Sequence, residues 1–156
     1  MRLLALFTVA ALAAGCPPPP NFLDGSIKQS HDLTFDTVEL RLLTDQRVFQ
    51  LSYFKNLEKN NPAAGVDTVV KLTFNEPAGG VTVDKEIDLL AAETAGRVER
   101  VTAANDTFPA SFTSGTVTFH KAPAVNATTN GEFAITFDNG KTLDGTFETK
   151  VQTASF

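Results

Sequence analysis

Residues 131–147 read GEFAITFDNGKTLDGTF and decide the fold more than any other stretch of the chain. Apolar and polar residues alternate on both sides of the central Asp-Asn-Gly, which is typical of two half-buried strands joined by a tight turn. A two-residue Asn-Gly turn would send the two apolar sets to opposite faces of the hairpin. A three-residue loop, Asp138–Gly140, keeps them on one face when Gly140 is left-handed. We therefore predict this loop, with Phe133 lying over Gly145. The apolar side chains that then share the buried face are Phe133, Ile135, Leu143 and Phe147.

The same alternation with a period of two residues recurs through much of the chain. It is found in Phe49–Tyr53, in Val66–Phe74 and in Val117–Phe119. This pattern predicts strands that bury one face and expose the other. We therefore expect an all-β fold, which is a single antiparallel sandwich or partly open barrel of about seven to nine strands.

Three stretches depart from the alternation. The parity of the apolar residues changes near Asp36, which predicts a bulge or a bend between two strands. Residues 104–114 are expected to form a loop whose aromatic residues, Phe108 among them, plug the end of the core. The segment from Asn21 to Ser30 is interpreted as a loose lead-in to the domain.

A short helix is the one exception that the sequence allows within the β fold. Residues 88–95 could form one or two helical turns, with Asp88 as the N-cap and Gly96 just past the end.

The composition limits the possible functions. The chain has 156 residues, of which 42% are hydrophobic and 20% are charged, as is typical of one globular domain. A single Cys cannot form a disulfide framework within the chain, and with only two His a zinc or iron–sulfur centre is not expected. The formal net charge of −5 argues against sequence-independent binding to nucleic acid, which needs a basic face. We find no phosphate-binding loop or dinucleotide fingerprint, and we expect no cofactor.

The N-terminus has the features of an export sequence. After Met1 and Arg2, twelve uncharged and mostly apolar residues run from Leu3 to Ala14. As a helix they would rise about 18 Å, which is too short for a hydrocarbon core of about 30 Å. The run therefore predicts a secretory signal rather than a membrane-spanning anchor.

The segment Leu12-Ala13-Ala14-Gly15-Cys16 resembles the lipobox of bacterial lipoproteins. The resemblance implies signal cleavage between Gly15 and Cys16 and attachment of a diacylglyceryl group to the Cys16 sulfur. In many bacteria an acyl chain such as palmitate is also added to the new N-terminus. An ordinary signal peptidase site after Ala13 or Gly15 is the alternative. Since two or more acyl chains hold a protein stably on a membrane, a lipidated Cys16 would need no further anchor.

This interpretation divides the chain into three parts. Residues 1–15 are the signal peptide, residues 16–25 are the lipidated Cys and a Pro-rich tether, and residues 26–156 are the β domain. Pro17 follows the Cys, and in lipoproteins of double-membraned bacteria the lack of Asp at this position implies the outer membrane, on its periplasmic or surface face. The run Pro17–Pro20 predicts a stiff polyproline II spacer of about 12 Å.

The two histidines are the first candidates for catalytic residues. A nucleophile and base pair would need His31 or His120 beside a Ser or Thr, but no Gly-x-Ser-x-Gly motif marks a nucleophile. We therefore expect both to be surface imidazoles, and we assign no catalytic residue.

The carboxylates are plentiful but scattered. Asp84, Glu86 and Asp88 alternate, so we expect all three on one solvated face of a strand, with Lys85 and Ile87 on the buried or edge-facing side. A calcium site of oxygen ligands is the alternative for this row. No metal ligand is assigned.

Three functional hypotheses follow. The first is a lipid-anchored, non-enzymatic β domain of the cell envelope with a binding or a structural role of unknown specificity, for which an envelope protein or polysaccharide is a candidate partner. The second is a carrier of a small apolar ligand in a Phe-lined cavity, which would need a pocket of at least about 300 Å³. The third and weakest is an envelope polymer hydrolase, which would need two facing carboxylates in a cleft. Residues 115–151 are only generally similar to small uncharacterised secreted lipoproteins, and this likeness implies no activity.

Overall fold

The computed structural model describes residues 20–59 and 61–154, and in this part of the chain nine strands form one sheet that curls into an open half-barrel. The strands lie in the order β5-β7-β8-β9-β2-β3-β4-β6, and β1 also pairs with β9. All described pairs are antiparallel except β2 with β9. The prediction of an all-β, partly open barrel is confirmed. The strands are β1 Phe22–Asp24, β2 Thr37–Leu43, β3 Val48–Asn56, β4 Val66–Asn75, β5 Glu86–Asp88, β6 Arg97–Val101, β7 Phe112–Phe119, β8 Thr128–Phe137 and β9 Thr142–Ala154, and two 3₁₀ turns span Ser26–Gln29 and Pro62–Ala64.

The hairpin between β8 and β9 has the predicted register. The Phe137 N–H donates to the Lys141 carbonyl oxygen at 2.8 Å, and Gly140 has φ 78°. Phe133 pairs with Gly145, and a Cβ on this glycine would lie 2.5 Å from the Phe133 ring. Close contact between the ring and the bare backbone therefore explains why the position suits glycine.

The strand β9 joins the two halves of the sheet. Its residues 142–150 pair with β8, its residues 144–146 also pair with β1, and its last four residues run parallel to β2. The curl is reinforced from inside by Tyr53 of β3, whose hydroxyl donates to the Thr146 carbonyl oxygen at 2.8 Å. Burial raises the pKa of the Tyr53 hydroxyl far above its usual range.

Aromatic rings fill the interior of the half-barrel. Ring centroids of neighbouring Phe residues lie 5.4–6.4 Å apart, which is the range of favourable aromatic pairs. These side chains come from β3, β4, β7 and β9, so the two halves of the sheet share one core. The rings are Phe49, Phe74, Phe119 and Phe147.

The loop between β6 and β7 packs an aromatic residue against the core, as expected. Phe108 is 7% exposed and its ring centroid lies 5.6 Å from that of Phe137. The loop is shorter than predicted, because β7 already begins at Phe112.

An arginine holds this loop against the sheet. The Arg100 side chain is 5% exposed, and its Nη1 donates to the Val69 carbonyl oxygen at 3.1 Å, at a bulge between β3 and β4. Its Nε donates to Asp106 Oδ2 at 2.9 Å, and its guanidinium carbon lies 5.7 Å from the Phe108 ring centroid. The Thr102 hydroxyl and, to a lesser degree, Arg100 lower the pKa of Asp106. The buried charge is therefore paired and hydrogen-bonded.

The helix that the sequence allowed over 88–95 is not present. Asp88 is the last residue of β5, and turns follow it. The segment runs from one edge of the sheet to the other, and its backbone bonds to strands on both sides. The Leu89 N–H donates to the Gly115 carbonyl oxygen of β7, and the Thr94 carbonyl oxygen accepts from an N–H of β4. Within the segment the Thr94 and Ala95 N–H groups both donate to the Ala91 carbonyl oxygen, which makes a single turn and not a helix.

The beginning of the domain is more ordered than its sequence indicated. The expected bend at Asp36 is confirmed, with β2 starting at Thr37, but residues 32–35 before it do not form the second strand that was predicted. The segment Asn21–Ser30 is not a loose lead-in, because it contains β1 and a 3₁₀ turn. Ile27 in that turn is completely buried.

Candidate functional site

The proposed lipidation site cannot be placed in the fold. Gly15, Cys16 and the signal peptide lie outside the described residues, which begin at Pro20. None of the helices in residues 20–59 and 61–154 has both the length and the apolar character needed to cross a membrane.

Only two of the three carboxylates in the predicted acidic row lie on a strand. Glu86 and Asp88 are exposed on β5 and Ile87 between them is buried, as predicted. Asp84 is in a turn with φ 57°, and neither Asp84 nor Lys85 is part of β5. Lys85 is exposed, so it is not on a buried side of the strand. In the described part of the chain, no group of three or more His, Cys, Asp or Glu residues is arranged to hold a metal ion.

His120 is a surface imidazole, as expected. Its side chain is 41% exposed, with Nδ1 2.7 Å from Asp84 Oδ1 and Nε2 3.9 Å from Glu132 Oε1. The contact with Asp84 joins the end of β7 to the turn before β5, which is a structural role.

His31 has a more restricted environment. It is half-buried, and its ring packs edge-on against Phe108 with the centroids 5.2 Å apart. Nε2 lies 3.1 Å from the Thr107 carbonyl oxygen, and Nδ1 lies 3.0 Å from Ser30 Oγ. Ser30 Oγ is in turn 2.6 Å from Nζ of Lys141. The structure thus places a Ser beside a His, an arrangement that no sequence motif marked.

The hydrogen bonds determine which ring nitrogen of His31 is protonated. A carbonyl oxygen only accepts, so Nε2 must carry the proton that it shares with Thr107. In the neutral imidazole Nδ1 is then an acceptor, and the single Ser30 hydroxyl proton is shared between Nδ1 at 3.0 Å and the Ile27 carbonyl oxygen at 3.2 Å. The Lys141 ammonium has no lone pair and can only donate to Ser30 Oγ. The structure therefore brings together a hydroxyl from Ser30, a base from His31 that Thr107 orients, and a cation from Lys141.

A surface groove of about 550 Å³ adjoins this cluster. Its walls are formed by Asn21–Leu23, Lys28 and His31–Phe35. The Phe35 ring in the wall is fixed edge-on against Tyr53, with the centroids 5.0 Å apart. The groove therefore combines aromatic and aliphatic walls with charged groups.

The charged groups of the groove are held by ion pairs. Lys55 Nζ lies 2.6 Å from Asp32 Oδ2, and this bond, followed by bonds from Thr34, lowers the pKa of Asp32 to about 2. Lys28 Nζ lies 2.5 Å from Asp24 Oδ1. Both pairs are exposed, so they orient side chains more than they stabilise the fold.

Two carboxylates face each other on the neighbouring strands β1 and β9. Asp24 of β1 pairs directly with Asp144 of β9. Partial burial, and then the charge of Asp24, raise the pKa of Asp144, whereas the bond from Lys28 lowers the pKa of Asp24. Asp144 lines a cleft of about 250 Å³ together with Glu86 and Glu132, but Asp24 does not line it.

Comparison of the chain with protein families, with curated proteins and with solved structures returned no match. Function is therefore inferred from the residues themselves.

Proposed function

We propose that the protein is a lipid-anchored β domain of the cell envelope that binds an envelope protein or polysaccharide through the groove formed by residues 21–35. The lipobox-like sequence before Cys16 supports the anchor. Only residues 17–21 separate Cys16 from β1, which pairs with the central strand β9. A partner in the groove would therefore be held close to the membrane.

The charge of the domain favours anchoring by acyl chains. The formal net charge of −5 becomes −6 once Arg2 is removed with the signal peptide. An anionic domain is repelled by an anionic membrane surface, so electrostatics would not hold it there.

The groove is the observation that carries the binding role. Its volume of about 550 Å³ lies within the range of about 300–1,000 Å³ that is usual for ligand sites. Phe22, Leu23 and Phe35 are half-buried apolar residues in its walls, and Lys28 and Asp32 provide charge. A partner that presents an apolar group next to polar groups would suit this lining.

The two alternative functions have less support. The interior that a carrier would need as a cavity is occupied by contacting Phe rings. For a hydrolase with two carboxylates, Asp24 is bound to Lys28 and lies outside the cleft of Asp144. Glu86 and Glu132 do line that cleft, but its volume of about 250 Å³ is below the range of about 300–1,000 Å³ that is usual for ligand sites.

Membrane fractionation tests the anchor. The wild-type protein should sediment with membranes and, on a density gradient, with the outer membrane, whereas Cys16→Ala should stay in the supernatant. Sedimentation of the variant like the wild type would contradict the proposal.

Obstruction of the groove tests the binding role. Thr34 is exposed in the groove wall, and Thr34→Arg would fill part of the groove without removing an apolar contact. Thr153 is exposed at the end of β9 and does not line the groove, so Thr153→Arg is a matched control. In crosslinking of intact cells, the partner should be captured by the wild type and the control but not by Thr34→Arg. Equal capture by all three proteins would contradict the assignment of the groove.

A further inference from the structure

We propose that Ser30 is a nucleophile, with His31 as its general base and Lys141 as the cation that stabilises the developing negative charge, and that the site cleaves esters with an apolar acyl group. This proposal departs from the expectation of a non-enzymatic domain. It does not depend on the lipid anchor, because all three side chains lie within the described domain.

The backbone around Ser30 is held in place from two sides. The Ser30 and His31 N–H groups both donate to the carbonyl oxygen of Ile27, at 3.0 and 3.1 Å. The Ile27 side chain is completely buried, which fixes the turn to the core. Ser26 and Thr142 exchange two bonds, from Ser26 N to Thr142 Oγ1 at 3.1 Å and from Thr142 N to Ser26 Oγ at 2.9 Å. Since Lys141 precedes Thr142, the same clamp places the ammonium beside Ser30.

The base is oriented by the backbone rather than by a carboxylate. The Thr107 carbonyl oxygen fixes the proton of His31 on Nε2, so that the Nδ1 lone pair points at Ser30 Oγ 3.0 Å away. The edge-on contact with Phe108, which is itself buried in the core, limits rotation of the ring. Ser30, His31 and Thr107 thus form a nucleophile, base and orienting group.

Lys141 provides the electrostatic component. Its Nζ lies 2.6 Å from Ser30 Oγ, where negative charge develops as the hydroxyl loses its proton. A cation fixed in this position stabilises both the alkoxide and the tetrahedral intermediate.

The groove identifies the class of substrate. The His31 ring forms part of its wall, together with Leu33 and Phe35. Ser30 does not itself line the groove, but its Oγ lies 3.0 Å from Nδ1 of His31, which does. An acyl group lying along this apolar wall would therefore bring its carbonyl carbon toward Ser30. The preferred substrate is therefore an ester whose acyl part is apolar.

The reaction balances without a cofactor. Ser30 Oγ attacks the ester carbonyl carbon while its proton moves to His31 Nδ1, and the carbonyl oxygen becomes an oxyanion near Lys141. Collapse of this intermediate breaks the bond to the leaving alkoxide, which takes the proton from His31 and departs as an alcohol. Water then attacks the acyl-serine, gives one proton to His31 and releases the carboxylic acid as Ser30 recovers its proton.

Labelling of the full chain with a fluorophosphonate tests the proposal, because this probe phosphonylates activated serines. Ser111 is an internal control, since its Oγ lies 2.7 Å from Asp138 Oδ2 and the structure gives it no bond to a histidine. Mass spectrometry of peptides should show labelling of Ser30 at a rate about 10²-fold or more above that of Ser111. Equal rates at the two serines would overturn the proposal, and this comparison requires no variant to fold.

Two variants then separate the roles of the neighbouring groups. His31→Gln should slow labelling of Ser30 by about 10²-fold or more, and Lys141→Met should slow it by about 10²-fold. Thermal unfolding of each variant checks that it is folded. Hydrolysis of a p-nitrophenyl ester should be lost in Ser30→Ala and kept in Ser111→Ala. Unchanged labelling in folded His31→Gln, or unchanged hydrolysis in Ser30→Ala, would refute the assignment.

Discussion

Replacement of Gly145 by Ala is expected to destabilise the protein by about 1–3 kcal/mol, the usual cost of overpacking a core. The new Cβ would lie 2.5 Å from Cε1 and 2.6 Å from Cζ of Phe133, and 2.9 Å from Cδ2 of Leu23. Ordinary carbon contacts need about 3.5–4.0 Å, so the ring would have to move by about 1 Å. Because Phe133 is only 3% exposed and lies within the packed core, the ring has little room to move.

Urea and thermal denaturation followed by circular dichroism measure this cost. In a domain of this size, 1 kcal/mol corresponds to about 3–5 °C in Tm. Phe133→Leu removes the ring that the new methyl group meets. The double variant should therefore be less destabilised than the sum of the two single variants, by about 1 kcal/mol or more.

Gly140→Ala is a matched control in the same hairpin. An added Cβ there meets no atom within 4 Å, but φ is +78°, so the cost is backbone strain of about 1–2 kcal/mol. This cost should add independently to that of Phe133→Leu. A Gly145→Ala variant as stable as the wild type, or strict additivity with Phe133→Leu, would refute the predicted hairpin register.

Three further substitutions have expected effects on stability. Arg100→Met removes the donor to the buried Val69 carbonyl oxygen and should cost about 1–3 kcal/mol in urea denaturation. An unchanged midpoint would mean that the side chain does not hold the loop against the sheet. Tyr53→Phe removes the hydrogen bond to the Thr146 carbonyl oxygen and should cost about 0.5–1.5 kcal/mol by the same assay, and a more stable variant would contradict the role of the hydroxyl. Partial burial raises the pKa of the Asp144 carboxyl in the folded protein. Ionisation of Asp144 therefore destabilises the folded state above this raised pKa, and the lost stability returns as the pH falls through it. Asp144→Asn should therefore be more stable than the wild type by less than about 1 kcal/mol at about pH 7, and equally stable near pH 3. A variant that is less stable than the wild type at neutral pH would contradict this expectation.

The hairpin could be predicted because its information is local. The parity of the apolar residues and the position of Gly140 together exclude a two-residue turn, and the structure has the same register. Turn geometry and alternation act over a few residues, so both can be interpreted without knowledge of the remaining chain.

The structure at the start of the domain could not be predicted in the same way. The strand β1 has three residues, Phe22–Asp24, which are too few to show alternation, and it is defined by its pairing with residues 144–146 of β9. The turns after Asp88 depend likewise on bonds to distant strands. In both cases tertiary contacts override the local pattern.

The candidate site was missed for a related reason. Ser30 and His31 are adjacent in sequence, but this adjacency is common and has no catalytic meaning by itself. Thr107 and Lys141, which orient and polarise the pair, are far away along the chain and reach it only through the fold. The only available signal was the combination of a scarce His with a neighbouring Ser.

The proposed function depends on lipidation of Cys16, which mass spectrometry of the mature protein extracted from membranes can detect. We expect an N-terminal peptide that begins at Cys16 and carries a diacylglyceryl group on the sulfur. A free Cys16 thiol, or a mature chain that begins at another residue, would contradict it.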